Sequence, residues 1–243
     1  MRPLYGIVLR ELIILRRRWI NTLASYSLSP LLFMITFGLG VRMEDVAGET
    51  YLVFLVPGLI ASSTMRNSFS LSSEINISRF YWHVFDAIRS TPISDLAYTV
   101  GEVASGVLRG ALGAACILAI AALFGVSLAL NGLLVASILC NAFVFASLAV
   151  VTSMIVKKHA QQAMLTNFVI TPMSFLCGTF FPLEHYPASI QTLVRALPLT
   201  HAAVTMRAAA LDQPFPYGSL AYLVVFGAAC FVGAVCTIRA SRD

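Results

Sequence analysis

Long apolar stretches alternate with short polar interruptions along the chain, which is the pattern of a protein that crosses a membrane several times. The charge-free stretches are residues 19–41, 51–65, 110–156, 160–183 and 213–238. About 20 apolar residues cross a bilayer, so the third stretch is too long for one helix, and polar, glycine-bearing residues 125–132 divide it. The pattern therefore predicts an all-α membrane protein with six spans. The predicted spans lie near residues 20–41, 51–71, 97–124, 133–156, 162–181 and 216–238.

Between the last two predicted spans lies a segment that is too polar for hydrocarbon and too apolar for a loose loop. Residues 180–187 read Phe-Phe-Pro-Leu-Glu-His-Tyr-Pro, and Leu197-Pro-Leu-Thr-His201 follows. Its apolar periodicity, with prolines at the corners, predicts short re-entrant helices over residues 182–207. Irregular backbone persists at membrane depth only when it packs against protein or lines a wet cavity. The segment is thus predicted to be an outer gate or cap, with Glu184 and His185 at its rim.

The N-terminal residues 2–18 form an amphipathic pattern, with an apolar stripe and arginines mostly off it. Glu11 falls within the apolar arc. One interpretation is an interfacial helix held by anionic lipid. The other is a gate or partner-docking element in which Glu11 pairs with a basic group. The apolar residues of the stripe are Leu4, Ile7, Val8, Leu12 and Leu15.

Composition excludes a water-soluble domain. The 243 residues are 58% hydrophobic and only 11% charged, whereas soluble domains carry roughly 25% charged residues. The first apolar segment follows a charged helix and has no small-residue cleavage site, so it is predicted to be retained. The five cysteines all fall within predicted spans without a CxxC pair, which favours packing roles over metal ligation or disulfides.

The distribution of Lys and Arg predicts the orientation. Twelve of these residues flank the spans on one side and three on the other, with Arg109 left inside a span. Both termini are therefore predicted to be cytoplasmic and the 182–207 segment to face outward. The twelve are Arg2, Arg10, Arg16, Arg17, Arg18, Arg66, Arg79, Arg89, Lys157, Lys158, Arg239 and Arg242; the three are Arg42, Arg195 and Arg207.

Polar residues inside the predicted spans are candidate functional groups, because intramembrane charge is costly. To cross the bilayer, the second span must continue through Arg66. Pro57, which is followed by glycine, favours a kink in this span. The kink is either part of a transport path or a purely structural bend. Glu102 and Arg109 lie on one face of the third span about 10 Å apart, too far for a direct pair. Arg109 is expected to bond a neighbour's carbonyls or carboxylate.

The longest predicted cytoplasmic connection, residues 72–95, contains a short aromatic amphipathic pattern that ends before Thr91-Pro92. It would lie on lipid headgroups or present its aromatic side chains to a groove on a soluble partner; the sequence does not choose. Its apolar positions at helical spacing are Ile77, Phe80, Tyr81, Val84, Phe85 and Ile88.

Catalytic and nucleotide-binding motifs are missing from the sequence. There is no Gly-x-x-x-x-Gly-Lys-[Ser/Thr], HExxH or Gly-x-Ser-x-Gly, and the four histidines lie outside the spans without metal-ligand spacing. No buried carboxylate set typical of an ion-driven pump is present. The chain is predicted to be no enzyme, to hold no cofactor or metal, and to take energy for any active transport from another subunit.

Taken in order, several motifs resemble the permeases of the ABC-2 exporter family over nearly the whole chain. They are the N-terminal amphipathic helix, Tyr51-Leu-x-Phe-Leu-x-Pro-Gly-Leu59, Thr91-Pro-Ile-Ser94, Phe180-Phe-Pro-Leu183 and Pro198-Leu-Thr-His201. The similarity is greatest to permeases that export polysaccharides, nodulation-type lipo-oligosaccharides and amphiphilic drugs. Unlike sterol- or macrolide-type relatives, the chain has no sizeable soluble outer domain.

The resemblance implies one transmembrane domain over residues 1–243 in a bacterial cytoplasmic membrane. Two such chains, identical or paralogous, would bind two ATPase subunits that hold ATP and Mg. Rival interpretations are a heme-exporter-like assembly factor, an intramembrane enzyme and a scaffold or channel subunit. The residues implied to couple to the ATPase are Phe80, Tyr81, Trp82, His83, Phe85, Ile88 and Glu11. The candidate pathway and gate residues are Phe33, Phe37, Pro57, Arg66, Phe175, Phe180, Phe181, Glu184 and His185; core packing explains the phenylalanines equally well.

Overall fold

The computed structural model describes residues 2–37, 51–82, 93–183 and 186–241, and the regular secondary structure in these ranges is helical. The first helices are α1 (Arg2–Arg17), α2 (Trp19–Ile35), α3 (Tyr51–Phe69), α4 (Leu71–Phe80), α5 (Asp95–Leu123) and α6 (Gly132–Ile155). They are followed by α7 (His159–Leu165), a π-helical turn (Thr166–Ile170), α8 (Thr171–Leu176), α9 (Ala188–Arg195), α10 (Pro198–Ala210) and α11 (Tyr217–Ala240).

Three helices of the described ranges, α5, α6 and α11, are long and apolar enough to cross a membrane. Two of them begin with side-chain caps: Ser94 accepts a hydrogen bond from the backbone N–H of Ala97, and Asn131 accepts one from Leu134. Such caps satisfy backbone donors that a helix start leaves free. The other three predicted spans coincide with α2, with α3 and with residues 159–176, so the count of six spans stays a prediction.

The fifth predicted span is interrupted. α7 passes into the π-helical turn and then into α8, where Pro172 occupies the first turn. A proline lacks the N–H that the preceding turn would need, and a π turn is one local adjustment to such a break. The Thr171 hydroxyl donates to the Thr166 carbonyl at 3.3 Å across this turn. The helix ends at Leu176, because Gly178 adopts φ +72°, a left-handed conformation that favours glycine.

The core of the bundle is the junction of α3, α5 and α6, whose facing residues are almost all buried. Two glycines of α5, Gly106 and Gly110, face α6 and α3 at this junction. A Cβ placed on Gly106 would come within 2.7 Å of the Ala146 Cβ, and one on Gly110 would overlap the Ser68 hydroxyl. The missing side chains thus allow the three helix backbones to approach closely.

The bundle has two ends, which carry different chemistry. At the proximal end, α1 packs on the start of α5, and α4 donates hydrogen bonds from Asn76 to the Val156 carbonyl (2.6 Å) and from Arg79 to that of Met154 (2.9 Å). At the distal end, the loop after α5 meets the end of α10, where the Ala129 N–H donates to the Ala210 carbonyl at 2.9 Å. The ion pairs of Arg109 lie at the proximal end, and a group of clustered phenylalanines lies at the distal end.

Candidate functional site

Four phenylalanines predicted to lie along a pathway converge at the distal end. Phe180, after α8, lies with its ring centroid 4.9 Å from Phe33 and 6.4 Å from Phe37, both on α2. Its other face stacks on Phe175 at 5.2 Å. Phe180 is 5% exposed, whereas Phe175 is 45% exposed, so the aromatic cluster, defined as these four rings, reaches from the core to the surface.

Two aromatic residues of α3 that the sequence analysis did not select extend the cluster. The Tyr51 ring lies 5.6 Å from Phe37 and 6.3 Å from Phe54. The Tyr51 hydroxyl also donates a 2.8 Å hydrogen bond to the Phe180 carbonyl, which fixes the backbone after α8 against α3. The signal in the sequence was their spacing of three residues, which puts both rings on one face of a helix.

Arg207 on α10 closes the aromatic cluster from the other side. Its guanidinium carbon lies 3.8 Å from the centroid of the Phe54 ring, a cation–π geometry. It donates to the Gly178 carbonyl at 2.9 Å and approaches the Phe54 carbonyl at 3.4 Å. Pro57 lacks the N–H that would donate to the Val53 carbonyl, and Arg207 contacts the carbonyl of the next residue, Phe54.

A groove of about 440 Å³ runs along α2 to the aromatic cluster. Its residues recur every three or four positions and so share one helix face. Hydroxyl groups and apolar side chains alternate along it, and the described lining contains no ionisable residue. Such a surface can hydrogen-bond to neutral polar groups and stack on apolar ones. The lining residues are Ser25, Leu28, Ser29, Leu32, Phe33, Thr36 and Phe37.

A close backbone contact holds the segment after α8 in place. A Cβ on Gly58 would overlap the Thr179 carbonyl, so only glycine allows this approach of α3 to the segment. Neighbouring Pro57 is buried within α3, and Phe181 is 43% exposed. The two rim residues proposed from sequence, Glu184 and His185, lie outside the described residues.

His201 ties α10 to α11 and to the end of α9. Its Nε2 lies 3.0 Å from the Arg195 carbonyl and its Nδ1 lies 3.1 Å from the Ser219 hydroxyl. Since a carbonyl only accepts, Nε2 carries the proton. The ring stacks on Tyr222 at 4.1 Å, and the Tyr222 hydroxyl donates to the Ala196 carbonyl at 2.7 Å. Burial lowers the pKa of His201, while the hydrogen bond to the Arg195 carbonyl opposes this.

At the proximal end, Arg109 binds two carboxylates from two other helices. Its Nε and Nη2 donate to the two oxygens of Glu11 at 2.6 and 2.9 Å. Its Nη1 and Nη2 donate to Glu74 at 2.6 and 2.7 Å. Arg109 is 5% exposed and Glu11 is 1% exposed. Of the two kinds of partner predicted for Arg109, carbonyls or a carboxylate, the structure shows carboxylates, and the interpretation in which Glu11 pairs with a basic group agrees with this contact. Glu74, the third member, was not predicted from the sequence.

This ionic cluster, defined as Glu11, Glu74 and Arg109, is energetically sensitive. Removing one partner of a buried ion pair costs about 3–5 kcal/mol, because the remaining charge is left unpaired. A second pair lies beside it: Arg10 donates to Glu102 at 3.3 Å, with Glu102 1% exposed. Both intramembrane charges predicted on the third span are therefore paired with α1, and not with each other.

The remaining predicted coupling residues are only partly described. Phe80 is half-buried at the end of α4, while Tyr81 and Trp82 are 63% and 70% exposed. His83, Phe85 and Ile88 lie outside the described residues. Arg66 is half-buried near the end of α3, as expected from the length of that span. Within the ranges that the structure describes, no group of three or more His, Cys, Asp or Glu could hold a metal ion.

Comparison with known proteins identifies a family that covers most of the chain. The family model described as "ABC-2 type transporter" matches residues 3–211. Nodulation protein J of Rhizobium meliloti (strain 1021) is 28% identical over 191 residues, 78% of this chain and 73% of the relative. Nodulation protein J of Rhizobium leguminosarum bv. viciae is 30% identical over 185 residues, 75% of this chain and 71% of the relative. The inner membrane transport permease YadH of Escherichia coli (strain K12) is 26% identical over 188 residues, 76% of this chain and 73% of the relative. The match over most of the chain shows that this protein belongs to the ABC-2 type transporter family.

Proposed function

We propose that the chain is the membrane subunit of an ATP-driven exporter that moves an amphiphilic or glycan-type substrate outward across the bacterial cytoplasmic membrane. The observation that carries the proposal is the continuity of the α2 groove with the aromatic cluster. Aromatic rings stack on sugar faces and on lipid chains alike, and the hydroxyl groups along the groove match polar groups of a saccharide.

The character of the groove supports the proposed substrate class. Since no ionisable side chain lines its described part, the groove suits a neutral saccharide better than a strongly charged one. The alternation of hydroxyls with leucine and phenylalanine suits a molecule with both polar and apolar faces. Two of the relatives are nodulation proteins, which supports a lipo-oligosaccharide-like substrate.

Partner binding is proposed for the proximal end. The basic residues flank the spans on that side, which supports a cytoplasmic location for it and for both termini. The exposed Tyr81 and Trp82 are suited to insertion into a groove on a soluble subunit. Two ATPase subunits, each with ATP and Mg, would bind two permease chains there, and ATP hydrolysis would occur on the ATPase alone.

Reconstitution tests this function directly. The chain is purified with its candidate ABC ATPase subunit and placed in liposomes, and uptake of a fluorescent lipo-oligosaccharide is measured with and without ATP. ATP-dependent uptake is expected, and it should fall at least tenfold when Phe33 and Phe180 are both replaced by alanine. Val225→Ala, at a 69% exposed position on α11, should transport like the parent. ATP hydrolysis without uptake of this substrate or of a neutral glycan would contradict the export of such substrates and favour an assembly-factor role.

A further inference from the structure

The ionic cluster joins three helices, of which α1 also packs directly on α5. Glu11 lies on α1, Glu74 on α4 and Arg109 on α5, and the two carboxylates stand 98 and 35 residues from the arginine in sequence. Bidentate contacts to both carboxylates fix the direction of each helix relative to the guanidinium plane, as well as its distance. A single side chain thus sets the relative position of all three helices.

Two of these helices lead to the elements proposed to contact the ATPase. α4 ends at Phe80, directly before the exposed Tyr81 and Trp82, and α1 is the amphipathic N-terminal helix. Force applied by a soluble subunit to either element reaches Arg109 through one ion pair. Because Arg109 and Glu11 are almost fully buried, water screens the ion pair with α1 little, whereas the ion pair with α4 is screened more because the Glu74 side chain is 58% exposed.

The third helix, α5, reaches the distal end of the bundle. It begins at Asp95 and runs to Leu123, and the loop that follows it bonds to the end of α10. There the Ala129 N–H donates to the Ala210 carbonyl at 2.9 Å, and the Asn131 side chain donates to the Ala209 carbonyl at 2.7 Å. α10 also carries Arg207, which lies over the ring of Phe54 beside the aromatic cluster.

We propose that Arg109 is a positioning residue that makes α1, α4 and the start of α5 one rigid unit, so that a displacement imposed by the ATPase is carried along α5 to α10 and the aromatic cluster. This inference rests on the proposed function. The role of the buried charges is then mechanical, because they neither bind substrate nor take part in ATP hydrolysis. When they are lost, ATP is still hydrolysed but less substrate is transported per ATP.

Neutralising either carboxylate tests the role of the ionic cluster. Glu11→Gln and Glu74→Gln are each measured in the reconstituted complex for ATP hydrolysis and for substrate transported per ATP. Glu74→Gln should bind the ATPase and hydrolyse ATP at near the parental rate, and both variants should transport at least fivefold less substrate per ATP hydrolysed. Arg239→Gln, an exposed neutralisation on α11, is the control and should match the parent. Unchanged transport per ATP in both carboxylate variants would overturn the proposal.

A covalent link between α1 and α5 separates a mechanical role from a merely structural one. A Cβ on Gly101 would lie 3.0 Å from the Ile7 Cβ, close to the separation of about 3.8 Å in disulfides. In a background without the five native cysteines, Ile7→Cys with Gly101→Cys is oxidised and assayed. If the unit is rigid, the crosslink leaves transport within twofold of the reduced protein. The crosslink should also restore transport per ATP to Glu11→Gln.

The outcomes separate the two proposals. Loss of transport on crosslinking an otherwise unchanged protein would mean that α1 must move relative to α5, which would overturn the rigid unit and leave the exporter function intact. If Glu11→Gln does not fold, the proposal is tested by Glu74→Gln and by the crosslinked parent. The Glu74 side chain is 58% exposed, so its replacement is less disruptive. If the parent itself shows no ATP-dependent transport, the proposed function fails, and the role of Arg109 in coupling fails with it.

Discussion

Replacing Gly58 by alanine adds one methyl group at the contact between α3 and the backbone of Thr179. The Cβ would overlap the Thr179 carbonyl, and the Thr179 Cα also lies within 2.9 Å of it. A side chain at this contact would rotate away, but a backbone carbonyl moves only with its whole segment. The substitution therefore pushes the segment after α8 away from α3.

Two opposing terms decide the size of the effect. Alanine favours a helix over glycine by about 1 kcal/mol. Overpacking costs about 1–3 kcal/mol, and weakening the buried hydrogen bond from the Tyr51 hydroxyl to the Phe180 carbonyl adds about 1 kcal/mol. The loss is larger than the gain, so we expect the free energy of unfolding to fall by about 2 kcal/mol. For a chain of this size, that is a decrease in Tm of about 4–8 °C.

Thermal unfolding of the purified protein in detergent measures this effect, with Gly233→Ala as the matched control. A Cβ on Gly233 would lie 3.6 Å from a Val151 methyl carbon, which is ordinary van der Waals contact. This control should keep or slightly raise the Tm, because it gains helix propensity without a clash. A Gly58→Ala protein as stable as the parent would refute the close contact between α3 and Thr179.

Three further predictions concern the distal end. Tyr51→Phe keeps the ring but leaves the Phe180 carbonyl without its donor, and it should lower the free energy of unfolding by about 1–3 kcal/mol in denaturant titration. Arg207→Lys should lower both Tm and transport, because an ammonium cannot stack over a ring and hold the Gly178 carbonyl with a planar fork; a Tm equal to that of the parent would contradict this role. The pKa of His201 is lower in the folded chain than in the unfolded one, so its contribution to stability is present above the unfolded pKa near 6.5 and is lost as the pH falls through the folded value. The decrease in Tm between pH 7 and pH 5 should be smaller in His201→Gln than in the parent. Identical pH profiles of the two proteins would contradict this role of His201.

Local pattern was enough to place most helices of the fold. Apolar length and polar breaks predicted α5, α6 and α11 to within a few residues, because a membrane requires a long apolar run for each span. The interruption of the fifth span was not predicted. Pro172 was visible in the sequence, but whether a proline kinks a helix, ends it or is absorbed by a π turn depends on the packing around it.

The sequence predicted which residues of the site matter better than it predicted which residues contact each other. The cost of an intramembrane charge predicted that Arg109 bonds carbonyls or a carboxylate. Glu74 could not be chosen, because a contact over 35 residues depends on the tertiary packing. The four phenylalanines were candidates from the start, while their convergence required the fold. Tyr51 and Phe54 were missed, because an aromatic pair on a span is usually a packing pair.

Photo-crosslinking shows whether the substrate passes the aromatic cluster. A benzoylphenylalanine at position 33 or 175 is irradiated in the reconstituted complex with the lipo-oligosaccharide and ATP, and one at position 225, on the exposed face of α11, is the control. The account predicts substrate adducts at positions 33 and 175 that an unlabelled competitor suppresses, and only lipid adducts at position 225. Equal substrate labelling at all three positions, or none at positions 33 and 175 while transport proceeds, would contradict it.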